Sequence, residues 1–232
     1  MPEPPSVTAL ASRYGLPADA APRLHALVEL VATDPAAPTT VTDRRDILRD
    51  HLADSLVALE LAPVRSARVI ADLGAGAGFP GLPLAIALPR AEVNLVESNR
   101  RKCDFMARAA AVCKADNARV VQARAERWTD GLGRCDLVVA RALAPLAVVA
   151  EYAAPLLSPN GTLVAWRGRR DAADEAQAAR AARELGLEPG EPLRVEPYPG
   201  ALNRHLHPMV KVSPTPPRFP RRPGMARKRP LN

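Results

Sequence analysis

The chain has 232 residues, 47% hydrophobic and 25% charged, which supports a globular core and excludes collagen-like, coiled-coil and wholly disordered chains. Aromatics make up only 3%, leaving few rings to stack on bases or sugars. The formal net charge of +7 resides entirely in residues 211–232, where Lys211, Arg218, Arg221, Arg222, Arg227, Lys228 and Arg229 stand without an acid.

A basic tail on a neutral body points to a polyanionic partner, nucleic acid before membrane. The three cysteines, Cys103, Cys113 and Cys135, form no Cys-x-x-Cys pair and are odd in number. They predict buried thiols in a reducing compartment rather than a disulfide framework or a metal site. Met1–Leu10 has no cationic segment followed by an apolar run, so no signal peptide is expected. The longest apolar stretch, Leu137–Leu157, is broken by Arg141, Pro145, Glu151 and Pro155, which argues against a membrane span. A soluble cytoplasmic protein is expected.

Residues 1–8 are Pro-rich and read as loose. Leu16–Thr33 predicts a helix, with Leu24, Leu27, Val28 and Val31 on one face. After a Pro/Thr linker at Asp34–Thr40, Asp43–Leu61 predicts a second helix capped by Asp43. The period then changes. Strands are predicted at Arg68–Leu73, Glu92–Glu97, Ala118–Gln122, Cys135–Ala140 and Gly161–Trp166. Helices are predicted at Pro80–Leu88, Arg100–Cys113, Leu146–Leu156 and Ala172–Leu185. Such alternation means βαβ units and a parallel sheet. Two more strands, near Leu193 and at Leu206–Val212, would complete one edge. From Pro214 the chain shows no apolar period and is expected to be extended, pinned if at all by a partner. The organisation predicted is an N-terminal helical segment (1–65), an α/β body (66–213) and a basic tail (214–232).

The segment after the first strand, Asp72-Leu73-Gly74-Ala75-Gly76-Ala77-Gly78-Phe79-Pro80-Gly81, is the most informative. Glycines let the backbone turn sharply and approach a ligand, and a helix starts at once behind them. Gly76, Gly78 and Gly81 satisfy the dinucleotide pattern G-x-G-x-x-G. Gly74, Gly76 and Gly78 also satisfy G-x-G-x-G preceded by Asp72, the pattern for S-adenosylmethionine, whose cationic amino group favours a nearby acid. Glu97, ending the second strand, can accept hydrogen bonds from both ribose hydroxyls, which serves either cofactor. The loop Ala123–Trp128 places Glu126 where an adenine ring would lie. Arg141 ends the fourth strand, at the mouth of such a site.

No Asn/Asp-Pro-Pro-aromatic segment follows the fourth strand, and neither does a His or a Cys. A site without a general base or a cysteine nucleophile suits a methyl acceptor that has a lone pair and no proton to lose. Guanine N7 is one. Catalysis would then rest on in-line proximity, which can contribute up to ~7–11 kcal/mol.

Four segments together resemble the bacterial ribosomal RNA small-subunit methyltransferase G family, also called GidB. They are His51–Leu56 (H-x-x-D-S), Asp72–Pro83 with its Phe-Pro-Gly-Leu-Pro continuation, Val139–Ala142, and Arg218–Leu231. The resemblance implies a class I S-adenosylmethionine-dependent methyltransferase, an α/β Rossmann-like sheet with N-terminal helices and a basic C-terminal extension. It implies 7-methylguanine formation in 16S rRNA, in the 530 loop of the decoding region. It carries the family's cofactor contacts onto Gly74, Phe79, Ala125, Glu126 and Arg141, to which the residue reading adds Asp72, Gly76 and Glu97. Where the family has Lys-Gly after the fifth strand, this chain has Arg167-Gly168. Where it has Trp-Asn…Asn-Leu-Thr before the His motif, this chain reads Ala32-Thr33 to Thr39-Thr40.

Arg141 is the candidate catalytic residue, with Arg167 a second candidate for orienting the guanine. Arg167, Arg218, Phe219, Arg221, Arg222, Arg227, Lys228 and Arg229 are the candidate RNA contacts. Small ribosomal subunits are the expected partner and a monomer the expected state, with no metal. Three rivals remain at this point. A dehydrogenase would need a His/Asp or Tyr/Lys set, and none stands at a strand end. An RNA-binding module with an inactive cofactor site predicts no cofactor binding. The same chemistry on another RNA, a protein or a metabolite is the third, and the basic tail argues for RNA.

Overall fold

The computed structural model describes residues 5–232. Helix α1 (Val7–Tyr14) opens the described chain, capped by Ser6 Oγ accepting from the Ala9 amide and closed by the left-handed Gly15. The expected loose segment therefore ends at Ser6, with residues 1–4 outside the described residues. Helix α2 (Ala20–Thr33) buries Leu24, Leu27, Val28 and Val31 as the spacing predicts. The predicted second helix is a rod of four pieces: α3 (Arg44–Asp46), a π-helical turn (Ile47–Ala53), α4 (Asp54–Leu56) and a 3-10 turn (Val57–Glu60). Asp43 caps it, accepting from the amides of Arg45 and Asp46. The wide π turn carries His51, and such turns recur at functional sites. A short helix α5 (Ala62–Ser66) leads into the sheet.

Five strands run parallel in the order β3 (Ala118–Gln122), β2 (Glu92–Glu97), β1 (Val69–Leu73), β4 (Cys135–Arg141) and β5 (Leu157–Arg167). Strand β8 (His205–Lys211) adds antiparallel to β5, and β6 (Leu187–Pro189) and β7 (Leu193–Arg194) pair antiparallel with β8. The order reverses between β1 and β4, so the loops after these strands diverge and open a crevice at their carboxyl ends. Successive strand residues point to opposite faces. Ile70, Val93, Leu137 and Val164 face one core, shared with α2, the rod, α6 (Gly81–Ala87) and α7 (Arg100–Val112). Ala71, Leu73, Val138 and Leu163 face the other, shared with α8 (Leu146–Ala153) and α9 (Ala172–Leu185). Both faces are covered, which is why these strands read as apolar runs. The three cysteines are buried free thiols. Among the described residues no helix is long and apolar enough to cross a membrane.

Two departures from the expected elements have local causes. β5 starts at Leu157, before Gly161, after a register shift against β4 between Cys135 and Leu137. α8 stops at Ala153, two residues before Pro155, which cannot continue a helix. A third departure is larger. The tail is not held off the body but docked on it, with Phe219 and Ala226 buried in the α8–α9 core and a final turn, α10 (Met225–Lys228). Glu151 on α8, only 2% exposed, receives the Arg221 guanidinium in a bidentate pair. A buried carboxylate without such a partner would be costly, so the tail supplies a charge the body needs.

Leu56 in the rod is fully buried in the core shared with the sheet. Leu56→Ala is expected to cost about 2–5 kcal/mol of unfolding free energy, read from denaturant titration.

Candidate active site: two clefts at the carboxyl edge of the sheet

The loop after β1 turns back under its own strand. The Gly74 amide donates to the Val96 carbonyl of β2 at 2.8 Å, and Gly74 takes φ +69° with Leu143 Cδ1 only 2.6 Å from where a Cβ would stand. Only glycine tolerates both the angle and the approach. Asp72, 1% exposed, accepts the Gly81 amide at 2.8 Å through Oδ2 and so joins the end of β1 to the start of α6. A Cβ on Gly81 would lie 2.8 Å from that same oxygen. Asp72 Oδ1 is buried without a hydrogen-bond partner. Burial pushes the Asp72 carboxyl up to about 7, against the Gly81 amide, which holds it down.

Two clefts open above this loop. The first, about 410 Å³, is lined by Gly74, Glu97, Ala125, Glu126, Leu143, Tyr152 and Arg227 among others. Glu97 Oε1 accepts from the Asn99 amide at 2.8 Å, and Lys102 Nζ stands 4.0 Å from Oε2. The second, about 390 Å³, is lined by Asp50, His51, Asp54, Arg141, Trp166, Arg167, Arg204 and His205 among others. Ala142 borders both, so the clefts adjoin at the residue after β4.

Arg141 organises the second cleft. Its Nη1 donates to the Asp50 carbonyl at 2.8 Å and to Asp54 Oδ2 at 3.0 Å, and its Nη2 lies 3.3 Å from His51 Nδ1. A guanidinium only donates, so Nδ1 accepts and the His51 proton is on Nε2, facing Thr39 Oγ1 at 2.9 Å. Burial, and next the charge of Arg141, push the imidazole down to about 4. His51 is therefore neutral near pH 7. Its ring stacks on Phe79, centroids 4.9 Å apart, and the Arg141 guanidinium carbon lies 5.9 Å from the Phe79 centroid. Burial raises the Asp54 carboxyl against the pull of Arg141. Asp54 Oδ1 is 3.5 Å from Arg204 Nε, and the Trp166 indole N–H donates to the Asp54 carbonyl at 2.7 Å.

The sequence candidates divide between these places. Gly74, Glu97, Ala125 and Glu126 line the first cleft, while Arg141 and Arg167 line the second. Asp72 lies beneath the loop, Gly76 is within it at φ +61°, and Phe79 reaches the second cleft through His51 and Arg141. Arg167 bonds the Ala144 carbonyl and Asp174. In the tail, Phe219 is 7% exposed and Arg221 pairs with Glu151, whereas Arg218 pairs with Glu184 on the surface. Arg222, Lys228 and Arg229 are exposed and make no ion pair among the described residues. Arg227 forms part of the first cleft. Sequence reasoning missed Tyr152, Leu143, Asp50, Arg204 and Tyr198. Tyr152 carries a helical signal only, and Arg204 and Tyr198 come from a coil after β7 with no motif to mark them.

Comparison with known proteins bears on these clefts. Residues 27–196 match the model of the GidB family, described as rRNA small subunit methyltransferase G. The chain is 40% identical over 198 residues to a ribosomal RNA small subunit methyltransferase G of Chloroflexus aggregans, covering 83% of this chain and 82% of that one. It is 41% identical over 199 residues to the protein of that name from Roseiflexus castenholzii, covering 83% of each. Among solved structures, Aeropyrum pernix fibrillarin with natively bound S-adenosyl-L-methionine superposes with a TM-score of 0.54 at 16% identity, over 68% of this chain and 72% of that one. At that identity the likeness concerns the fold, a class I methyltransferase sheet.

The Asp72 carboxyl sets a pH signature. Between about pH 4 and 7 the folded chain keeps a proton on Asp72 that the unfolded chain has lost, so this group's contribution to stability falls as pH rises through that window. In denaturant titrations from pH 4.5 to 7, Asp72→Asn should show a more positive slope of stability against pH than the parent. Equal slopes would refute the raised carboxyl.

Proposed function

This chain belongs to the rRNA small subunit methyltransferase G family, and from that premise we propose that it transfers a methyl group from S-adenosylmethionine to N7 of a guanine in the 530 loop of 16S rRNA. The observation that carries the proposal is the pair of clefts meeting at Ala142. One has the chemistry of a nucleoside cofactor site, and the other is walled by guanidinium groups and opens beside it.

The first cleft fits the cofactor in its polar groups. Glu97 would accept from the ribose hydroxyls, Ala125 and Glu126 would border the adenine, and Gly74 gives the backbone its close approach. The unpartnered Asp72 Oδ1 lies beneath the loop, and its carboxyl, once ionised, would complement a cation there. S-adenosylmethionine, when bound, supplies an electrophilic methyl group on a sulfonium sulfur.

The chain's own residues then orient and enclose. The Arg141 N–H groups not engaged by Asp50, Asp54 and His51 are its Nε–H and one on Nη2. They can donate to a purine O6, next to N7. Arg167 stands at the rim of the same cleft. His51, neutral and already hydrogen-bonded at both ring nitrogens, is a wall of this cleft and not a base. None is needed, because guanine N7 has a lone pair and no proton to lose. Positioning is what remains for the protein to provide.

Arg218, Arg222, Lys228 and Arg229 would contact rRNA phosphates, and Phe219 and Arg221 would serve that surface by holding the tail in place. Each phosphate neutralised steepens the fall of affinity with salt. Both clefts are built by one chain, so a cytoplasmic monomer acting on the small subunit suffices.

The test is transfer from labelled S-adenosylmethionine to small subunits lacking the modification, with cleavage at 7-methylguanine. One cut in the 530 loop is expected. Cofactor binding without transfer would move the activity to another RNA, and no cofactor binding would favour an RNA-binding module. Arg141→Lys keeps the charge but loses the planar fork. It should lower kcat by roughly 10²-fold through misplacement of the guanine, with the salt dependence of RNA binding unchanged.

A further inference from the structure

The C-terminal segment lies where the charge pattern alone would not put it. Gly224 donates its amide to Glu126 Oε1 at 2.9 Å, bonding the tail to the loop after β3 that borders the first cleft. Three residues on, Arg227 Nη2 donates to the Leu143 carbonyl at 2.7 Å, bonding the tail to the loop after β4 on the other side of that cleft. Arg227 and Leu143 are both part of the cleft wall, with Tyr152 of α8 between the elements they join. The segment is anchored on each flank: Phe219 and Ala226 are buried in the α8–α9 core, Arg221 pairs with Glu151, and Gln177 donates to the Leu231 carbonyl.

We propose that Gly224–Arg227 is a strap closing the cofactor cleft, with Arg227 as a cofactor-positioning residue, so that this part of the basic tail serves the cofactor and not the RNA. This rests on the reading of the first cleft as the S-adenosylmethionine site and adds a residue to it. The loops after β3 and β4 come from opposite sides of the sheet's crossover; Ala125 and Leu143 pack on the α8–α9 core, and the tail adds a direct polar tie to each loop. Arg227 ties one and Gly224 the other, so the short α10 turn sets the width of the cleft. Arg227 itself lines the first cleft, and its guanidinium has N–H donors beyond the one given to Leu143. The bond runs to a backbone carbonyl, so any arginine-sized donor at this point would hold the loop, whereas the truncated side chain would release it.

Calorimetry with S-adenosylhomocysteine on the full chain tests this, comparing Arg227→Ala with Arg180→Ala. The latter removes the same charge from an exposed position on α9. Arg227→Ala should raise the dissociation constant at least fivefold and Arg180→Ala less than twofold, with both variants melting within about 2 °C of the parent. In methyl transfer, Arg227→Ala should raise KM for S-adenosylmethionine with kcat within twofold, and Arg227→Lys should recover part of the affinity. A structural role alone would lower melting temperature without that split. An Arg227→Ala variant that binds S-adenosylhomocysteine like Arg180→Ala would overturn the inference. If the parent itself bound no S-adenosylhomocysteine, the reading of the cleft would fail first, so the two failures are distinct.

Discussion

Arg141 brings a full positive charge to within reach of the closed corner between the end of β4 and the N-terminal rod, and most of the site follows from how that charge is met. An unpartnered charge there would be expensive, and one carboxylate does not satisfy a guanidinium. The chain answers with Asp54 Oδ2, the Asp50 carbonyl and His51 Nδ1, all from a single helical rod. Because the three acceptors lie on one rod, meeting them fixes its position against the sheet. The rod then presents His51 to Phe79 and forms a wall of the second cleft. Arg141 is thus a structural joint as well as a lining residue of the second cleft. Burial in this corner, and next the charge of Arg141, hold the His51 imidazole neutral near pH 7.

The two faces of the sheet divide the work. Helices α6 and α7 and the N-terminal helices cover one face, and the rod among them shapes the second cleft. Helices α8 and α9 and the tail cover the other, and the tail completes the first. The parallel sheet alone would give only the crevice at its topological switch point. Each cleft is completed by a segment outside the βαβ units, the second by the N-terminal rod and the first by Arg227 of the tail. Both are attached through buried or half-buried ion pairs, Arg141 with Asp54 and Arg221 with Glu151. The charge that reads as a solvated run in the sequence is in part spent inside the molecule.

The βαβ part was legible because its signals are local. Strands β2 and β3 and helix α9 have the bounds their apolar runs and caps predict. Asp43 and the glycine loop announce themselves by residue type. Glu97 was legible from its place at the end of β2, and Glu126 from the loop after β3 together with the family resemblance; both line the first cleft. Arg204, which lines the second cleft, and Tyr198, whose hydroxyl donates to Asp50 Oδ1 at 3.1 Å, were not legible, since both come from a coil whose path depends on β7 and β8 pairing beyond β5. The tail was misjudged for a related reason. Proline and arginine suggest an extended chain, and nothing near them shows that Glu151, about 70 residues earlier, is buried and short of a counter-charge.

The sequence by itself determined the order of strands and helices, the glycine turn with its two acids, and the family. Each is a property of neighbouring residues, where backbone sterics and the apolar period act over a few positions. The tertiary structure alone decided which arginines are inside and which outside, that Phe79 belongs to the second cleft through His51, and that the tail walls the first. Those outcomes depend on which distant charge is buried opposite which, and burial is a property of the packed whole.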